Sequence, residues 1–269
     1  MRRALLPILI LAAIAVASAM AWFTLTRGGG SGGTDLTSEV RAVDAFHRID
    51  VNGHADVTLN QGSTDSVTVV ASSRGQPRVR ARVENGVLVI TAGDTRRWWD
   101  SLFGGGRGGP TPQITIAFKS LDRVALAGAI NLSAARIDAQ DLHIAASGGS
   151  AVRIDDLQAQ SLRLAGSGAL KATLAGKVVD QTISISGAGE VRADRLASEN
   201  AKVSVSGAGS VIVNAEKTLR ASISGAGIVE YFGNPEVKQS VSGVGRVKRR
   251  QTADADGWRM GHQRTPLAL

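Results

Sequence analysis

The pair Asp155 and Asp194 comes closest, by residue type and spacing, to acid–base chemistry. Each carboxylate lies seven residues after the first glycine of a recurring Ser/Ala-Gly-x-Gly motif, in the second and fourth copies of that motif. If the copies stack as neighbouring strands, one repeat lies between the two side chains and separates them by roughly 10 Å. Inverting glycosidases hold their two carboxyl groups ~6.5–9.5 Å apart. No further acid or aromatic platform accompanies the pair, so we interpret both as solvated turn acids and keep polysaccharide cleavage as an alternative function.

The other reactive residue types form no recognised catalytic or metal-binding motif. The four histidines, His47, His54, His143 and His262, lack metal-ligand spacing, and the chain has no cysteine. The glycine-rich motifs lack the Lys-Ser/Thr ending of a phosphate-binding loop, and we expect the motif serines to bond the backbone at turns. The sequence therefore predicts no catalytic residue, no metal site and no cofactor, which argues against an enzyme.

The segment between Gly93 and Pro112 is the strongest candidate for a partner-binding surface. It joins two predicted strands with about 20 residues, more than a usual connection, and it holds three of the ten aromatic residues of the chain. Trp, Phe and Arg side chains together are typical of protein hot spots and of membrane-surface contacts. The alternative is that its aromatic side chains fold back and plug the open end of the domain. The candidate contact residues are Arg96, Arg97, Trp98, Trp99, Phe103 and Arg107.

The glycine motif organises the second half of the chain and recurs every 18 to 21 residues. A period of this length is typical of repeat proteins, in which each repeat covers the core of its neighbour. Glycine suits a tight corner, because it accepts a positive φ without a Cβ clash. Two degenerate copies, at Gly128 and Gly148, precede five full ones. The predicted corner glycines of the full copies are Gly166, Gly168, Gly187, Gly189, Gly207, Gly209, Gly225, Gly227, Gly243 and Gly245.

Around each first glycine, apolar and polar residues alternate with a period of two. The positions four and two before it, and four and six after it, are apolar or tyrosine except at Gln239 and Arg249 of the last copy. This pattern predicts two short strands per repeat with the apolar side inward. In the fifth copy we expect Ser204 and Ile212 to face solvent. The residues expected in the core of that copy are Val203, Val205, Val211 and Val213.

A row of serines lies three residues before the first glycine in the last four copies. Regularly spaced hydroxyls on one side of a sheet suit contact with a polymer. The alternative is an ordinary solvated face. The row consists of Ser184, Ser204, Ser222 and Ser240.

Together the repeats predict an all-β chain: a single-stranded parallel β-helix (β-solenoid) with an N-terminal β cap region. The cap is expected from alternating strands between Phe46 and Phe118, with a hairpin turn at Asn85-Gly86. A β-propeller or a sandwich is the alternative. A propeller blade of ~40 residues would need a doubled period, and the sequence shows none.

The N-terminus predicts export. Met1-Arg2-Arg3 and the apolar run from Ala4 to Leu25 are typical of a secretory signal peptide, and the run is also long enough for an uncleaved inner-membrane anchor. We expect a signal peptide or membrane anchor at 1–25, a Gly-rich linker at 26–42, a folded domain at 43–247 and a basic, disordered tail at 248–269. The folded domain is then expected in the periplasm or cell envelope.

Four sequence segments match the pattern of a known family. They are Phe46-x-x-Ile49-x-Val51-x-Gly53, Asp56-Val57-x-Leu59-x-Gln61-Gly62, Asn85-Gly86-x-Leu88, and the serial Ser-Gly-x-Gly motifs that end in Tyr231-x-Gly233-x-Pro235. From Phe46 to about Val247 the chain resembles the head GIN domain family, described as a putative auto-transporter adhesin. The resemblance implies an exported bacterial envelope protein with a β-helical head, and it brings no catalytic residues. This chain departs from a true autotransporter, because no C-terminal membrane barrel of alternating strands is expected.

The sequence as a whole favours an exported, non-enzymatic β-solenoid that presents a repetitive surface in the bacterial cell envelope for adhesion or scaffolding. The expected partner is an envelope glycan or protein, with membrane contact at the N-terminus. The net charge of +8 comes largely from clusters near the termini and in the aromatic loop, so it does not predict nucleic-acid binding. The alternatives are a polysaccharide-active β-helix enzyme and a membrane-anchored envelope sensor or accessory protein that docks through the Trp loop.

Overall fold

The computed structural model describes residues 36–72, 79–93 and 111–250, and the regular secondary structure of these ranges is β-strand throughout. The prediction of an all-β chain is therefore confirmed. The strands are β1 (Leu36–Ala42), β2 (Arg48–Gln61), β3 (Ser66–Ser72), β4 (Val79–Glu84), β5 (Val87–Ala92), β6 (Gln113–Phe118), β7 (Arg123–Phe232), β8 (Glu236–Gly243) and β9 (Arg246–Arg249).

The repeats all lie within β7 and its parallel partners. β7 has 110 residues, and a straight strand of that length would extend roughly 360 Å, so the chain turns back on itself once per repeat. The start of β7 runs parallel to β2, with Gly53 opposite Gly128. Its end runs parallel to β8, with Gly225 opposite Gly243. Neighbouring repeats are therefore parallel and in register at both ends of the stack.

One glycine of each repeat belongs to a column that runs along the stack. At Gly207 φ is +126°, and a Cβ atom would lie 2.4 Å from the carbonyl oxygen of Gly187. Both the backbone angle and the close approach of the neighbouring strand require a residue without a side chain. The glycine column consists of Gly53, Gly128, Gly148, Gly168, Gly187, Gly207, Gly225 and Gly243.

The third repeat differs by two residues from the predicted phase. Gly168 joins the glycine column, since a Cβ atom there would lie 2.5 Å from the carbonyl oxygen of Gly148. Gly166 has no positive φ and lies against the side chain of Leu170, so its assignment as a corner glycine is wrong. Because side chains alternate with a period of two, a shift of two residues leaves the apolar side inside.

The second glycines of the later motifs have a different role from the predicted corner. None of them has a positive φ. A Cβ atom on Gly189 would lie 2.8 Å from the Cγ2 methyl of Ile185, and one on Gly245 would lie 2.7 Å from that of Ile223. Glycine here leaves room for branched core side chains. These residues are Gly189, Gly209, Gly227 and Gly245.

The inward positions of the repeats form one continuous core, as the alternation predicts. In the fifth copy the four inward valines are at most 2% exposed, while Ser204 is half-buried on the outer side. The prediction is wrong for Ile212, which is 9% exposed. The register places Arg192 and Glu230 beside it in the adjacent repeats, and the aliphatic stems of long side chains can cover a branched neighbour. The core valines are Val203, Val205, Val211 and Val213.

The N-terminal strands extend the two halves of β2 separately. β5 pairs in parallel with Arg48–Gly53, and β6 pairs in parallel with Asp56–Gln61. The antiparallel strand β4 then adds to β5, whereas β3 and β1 add to β6. The turn between β4 and β5 has φ of +53° at Asn85 and +73° at Gly86, which is typical of the predicted hairpin.

The last repeat ends the stack with a polar edge. Gln239 is exposed, and so is Val241, at 42%. Lys248 and Arg249 of β9 lie on the same edge and are also exposed. Charged residues on an edge strand disfavour pairing with another chain.

A buried amide interrupts the core at Gln181. The residue is 1% exposed, and its Nε2 donates to Oγ of Ser198 at 2.8 Å and to the carbonyl oxygen of Asn214 at 3.4 Å. Its Oε1 has no hydrogen-bond partner among the described residues. A buried polar atom without a partner costs about 1–3 kcal/mol of stability.

We therefore expect Gln181→Met to leave the free energy of unfolding unchanged or to raise it by about 1 kcal/mol, measured by urea titration. Ser198 keeps its own bond in this variant, because its Oγ donates to the carbonyl oxygen of Asn214 at 2.7 Å. Ser198→Ala is the matched control and should lower stability, because it removes a partner of the Gln181 amide. A Gln181→Met variant less stable than Ser198→Ala would contradict this assignment.

Candidate binding face

Two columns of small side chains run side by side along the outer surface, on the strand that precedes the glycine column. They lie three residues and one residue before each glycine, and both point outward because side chains alternate. The pairing places Ser222 opposite Ser240 and Ser224 opposite Ser242. We call the two columns the small-residue strip. The strip consists of Asp50, Ala125, Ala145, Ala165, Ser184, Ser204, Ser222 and Ser240 in one column and Asn52, Ala127, Ser147, Ser167, Ser186, Ser206, Ser224 and Ser242 in the other.

A groove of about 520 Å³ lies over the strip. It extends from Asp50 at one end to Ser206 at the other, and it is open because methyl and hydroxymethyl groups are too short to fill it. Ser147 bonds the backbone as predicted, donating from Oγ to the carbonyl oxygen of Leu126 at 3.2 Å. The hydroxyls of Ser186 and Ser206, in contrast, have no hydrogen-bond partner within the described part of the chain. They are therefore able to bond a ligand.

A column of basic residues flanks the strip, five residues before each glycine of the column. Arg48 lies opposite Arg123, and Arg220 lies opposite Lys238. Strands lie about 4.8 Å apart, so eight rows extend about 34 Å along the stack. Thr182 occupies the one row without a basic residue. We call the column the cationic ladder: Arg48, Arg123, His143, Arg163, Lys202, Arg220 and Lys238.

His143 shows how close its neighbours in the ladder are. Its pKa is lowered from the ordinary histidine value, first by partial burial and then by the positive charges of Arg123 and Arg163. The imidazole is therefore neutral at neutral pH. It lies between the permanent positive charges of Arg123 and Arg163. Like charges directly opposite each other on neighbouring strands destabilise a sheet. The ladder therefore does not stabilise the fold.

The ladder cations are mostly unpaired, whereas some cations on the other side of the glycine column have partners. Among the described residues, Lys238 is the ladder member with a carboxylate within 4.0 Å, that of Glu236 at 3.0 Å. Beyond the glycine column, Arg153 forms an ion pair with Asp155 at 2.9 Å. Asp155, one of the two acids considered for catalysis, is thus engaged by a neighbouring arginine.

A second groove, of about 550 Å³, lies on the side of the ladder away from the strip. Its polar residues bond one another: the Asn200 amide donates to Asp180 at 2.9 Å, and the Thr218 hydroxyl donates to Oδ1 of Asn200 at 2.8 Å. The carboxylate of Asp180 is therefore held by its own column and does not pair with the ladder. The groove is lined by Arg163, Lys202 and Arg220 and by Ser161, Asp180, Thr182, Asn200 and Thr218, among others.

Several predicted features lie outside the described residues and stay predictions. These are the N-terminal segment 1–25, the predicted tail 248–269 apart from its first three residues, and the Trp loop with Arg96, Arg97, Trp98, Trp99, Phe103 and Arg107. Lys248 and Arg249, at the start of the predicted tail, lie in β9. Within residues 36–72, 79–93 and 111–250, no helix has the length and apolar character needed to cross a membrane. In the same ranges, no three histidine or acidic side chains gather as ligands for a metal ion.

The strands and the glycine column define a class: all-β proteins whose repeats pair in parallel. A family model described as "Putative auto-transporter adhesin, head GIN domain" matches residues 45–235. The chain belongs to this family, as its resemblance predicts.

Solved structures share this fold at low sequence identity. A putative adhesin from Bacteroides fragilis matches with a TM-score of 0.75 at 20% identity, covering 81% of this chain and 98% of that one. A putative lipid binding protein from Parabacteroides distasonis matches with a TM-score of 0.63 at 18% identity, covering 82% and 98%. A putative adhesin from Parabacteroides merdae gives a TM-score of 0.58 at 20% identity, with the same coverage. A search of curated proteins gave no match.

Proposed function

We propose that this chain is an exported, non-enzymatic protein that uses the small-residue strip as an adhesive or scaffolding surface in the bacterial cell envelope. The observation that carries the proposal is the strip itself, whose two columns continue without a large side chain through every row from Asp50 to Ser242. Membership of a family described as adhesins supports it. The basic and apolar N-terminal segment, typical of exported proteins, supports the envelope location.

The proposal includes a closed architecture, a single-stranded parallel β-helix with an N-terminal β cap region. Two observations support it. Neighbouring repeats are parallel and in register, and apolar residues on both sides of the glycine column belong to one hydrophobic core. Two strands per repeat that face each other across a shared core would have the arrangement of a β-helix, so both observations support the proposed architecture.

Adhesion by such a surface depends on repetition. Small side chains let an extended ligand lie close to the sheet, and each repeat offers the same contact about 4.8 Å further along. Individually weak contacts to a long ligand add up, because the later ones form at high effective concentration. The unpartnered hydroxyls of Ser186 and Ser206 provide hydrogen bonds along this path.

A bulky side chain in the strip should block binding without loss of stability. We expect Ser206→Trp to weaken binding of the full chain to isolated bacterial envelopes by about tenfold, or about 1.4 kcal/mol, in a sedimentation assay. The melting temperature should change little, since Ser206 is exposed. Ser133→Trp is the matched control: Ser133 is also exposed but lies beyond the glycine column. A folded Ser206→Trp variant that binds envelopes as tightly as Ser133→Trp would refute the proposed surface.

A further inference from the structure

We propose that the cationic ladder and the small-residue strip together bind a linear polysaccharide that carries acidic groups along its chain. This inference rests on the proposed adhesive function and names the class of its ligand.

The charge of the ladder favours an anionic ligand. Over the described residues, the ladder cations have no carboxylate within 4.0 Å except at Lys238, and they stand in register one above another. Their mutual repulsion destabilises the isolated protein, and an anionic ligand would remove that repulsion. Asp122 directly precedes Arg123 and forms no ion pair with it, and Asp50 lies in the strip. The remaining acids close to the ladder in sequence lie seven residues before the glycines, on the side away from the strip. These acids are Asp141, Asp180 and Glu236.

Those acids already accept hydrogen bonds or form an ion pair within the protein, and they lie beyond the ladder. A polysaccharide that lies on the strip therefore meets the cations before it meets these acids. Asp180 accepts a hydrogen bond from Asn200, and Asp141 accepts one from the hydroxyl of Ser161. Asp50 is the one acid within the strip itself, and it lies in the row next to the cap strands. The rest of the strip carries no ionisable side chain.

The spacing of the ladder rows fits a polysaccharide chain. Successive ladder rows are about 4.8 Å apart, close to the length of one sugar residue in an extended chain. Arginine binds a carboxylate or sulfate with two parallel hydrogen bonds, while the serine hydroxyls of the strip match the hydroxyls of a sugar. A ligand that runs along the stack therefore meets a cation on one side in six of the eight rows, all except those of His143 and Thr182. Beneath it lie the short side chains of the strip.

A single-stranded nucleic acid fits this face less well. Proteins that bind single strands stack the bases on aromatic side chains. Neither the ladder nor the strip contains a phenylalanine, tyrosine or tryptophan.

The test measures binding of the full chain by calorimetry to four probes: polygalacturonate, dextran sulfate, neutral dextran and single-stranded DNA. We expect the two acidic polysaccharides to bind, neutral dextran not to bind, and DNA to bind more weakly than either acidic polysaccharide. Binding should weaken steeply with added salt, since each cation–anion contact releases counterions. Absence of binding to both acidic polysaccharides, or tighter binding of DNA, would overturn the proposal.

Two triple variants separate the ladder from net charge. Arg163→Ser/Lys202→Ser/Arg220→Ser removes three ladder cations, and Lys171→Ser/Arg153→Ser/Arg192→Ser removes three beyond the glycine column, so each lowers the net charge from +8 by three, to +5. We expect the ladder variant to lose about tenfold or more in affinity with a shallower salt dependence, and the control to lose much less. Equal losses would show that overall charge attracts the probes and would overturn the assignment to the ladder.

Binding of the Ser206→Trp variant to isolated envelopes distinguishes a wrong ligand class from a wrong function. If Ser206→Trp loses envelope binding and no acidic polysaccharide binds the native chain, the ligand class is wrong and the adhesive strip stands. If Ser206→Trp still binds envelopes, the proposed function itself fails.

Discussion

Replacing Val205 by aspartate is expected to unfold much of the repeat stack. Val205 is 2% exposed and lies two residues before a glycine of the column, in the middle of the continuous core. A carboxylate there has no cation or donor to pair with, and an uncompensated buried charge costs about 3–5 kcal/mol. Because whole domains are stable by only about 5–15 kcal/mol, Val205→Asp should lose most of its cooperative unfolding transition in a urea titration followed by circular dichroism.

The neighbouring residue supplies the control. Ser204 points to the opposite side of the same strand and is half-buried on the outer surface. Ser204→Asp should change the free energy of unfolding by roughly 0.5 kcal/mol, as ordinary surface substitutions do. Equal losses in the two variants would mean that the strand does not separate an inner from an outer side, and the repeat assignment would fail.

The second large effect is expected at the glycine column, where two adjacent glycines form a matched pair. Gly148 has φ of +89°, and a Cβ atom there would lie 2.7 Å from the carbonyl oxygen of Gly128. Gly149 has no positive φ, and a Cβ atom there would meet nothing within 4 Å. Gly148→Ala should therefore cost about 2–3 kcal/mol from backbone strain alone, and more because the clash is with backbone, which cannot move aside.

Gly149→Ala should be neutral or stabilise the protein by about 0.4–1 kcal/mol, because alanine restricts the unfolded chain. Thermal melts of the two single variants compare them directly. If Gly148→Ala is as stable as Gly149→Ala, the glycine column does not require residues without a side chain. Neighbouring strands then do not approach as closely as described.

The inward side of the repeats could be predicted from sequence because it depends on local alternation. Each valine of the fifth copy lies two residues from the next inward position, and the period alone places it in the core. The burial of Ile212 could not be predicted in this way, because its position within the repeat is an outward one and the register places Arg192 and Glu230 of adjacent repeats beside it. Which side chains cover it is decided by register between repeats and not by alternation within one.

The sequence does not predict the cationic ladder, for the same reason. Its members are dispersed from Arg48 to Lys238 and become a column only when the repeats are aligned. In the third repeat, Gly166-Ser167-Gly168 offers two possible corners. Choosing Gly166 as the corner places Ser161 in the ladder position, whereas the observed corner at Gly168 places Arg163 there. Since both choices keep the apolar residues inside, the core pattern could not distinguish them.

The sequence predicts only part of the small-residue strip. The row from Ser184 to Ser240 stands out in the sequence as a repeated residue type. The second column, in contrast, consists of the residues that directly precede the column glycines, and the sequence predicts turn residues there. Ser147 does bond the backbone, whereas Ser186 and Ser206 do not. Only the three-dimensional arrangement shows that the two columns share one groove.

The most direct test of the central claim, that the strip is the surface that binds the envelope, uses single-cysteine reporters. The chain contains no cysteine, so Ser206→Cys in the strip and Ser133→Cys beyond the glycine column each introduce one unique thiol at an exposed position. The measurement is the rate of maleimide labelling of each full-length variant, free and bound to isolated bacterial envelopes. The account predicts that binding slows labelling of Ser206→Cys and leaves Ser133→Cys unchanged. Protection of Ser133→Cys with unchanged labelling of Ser206→Cys would contradict it.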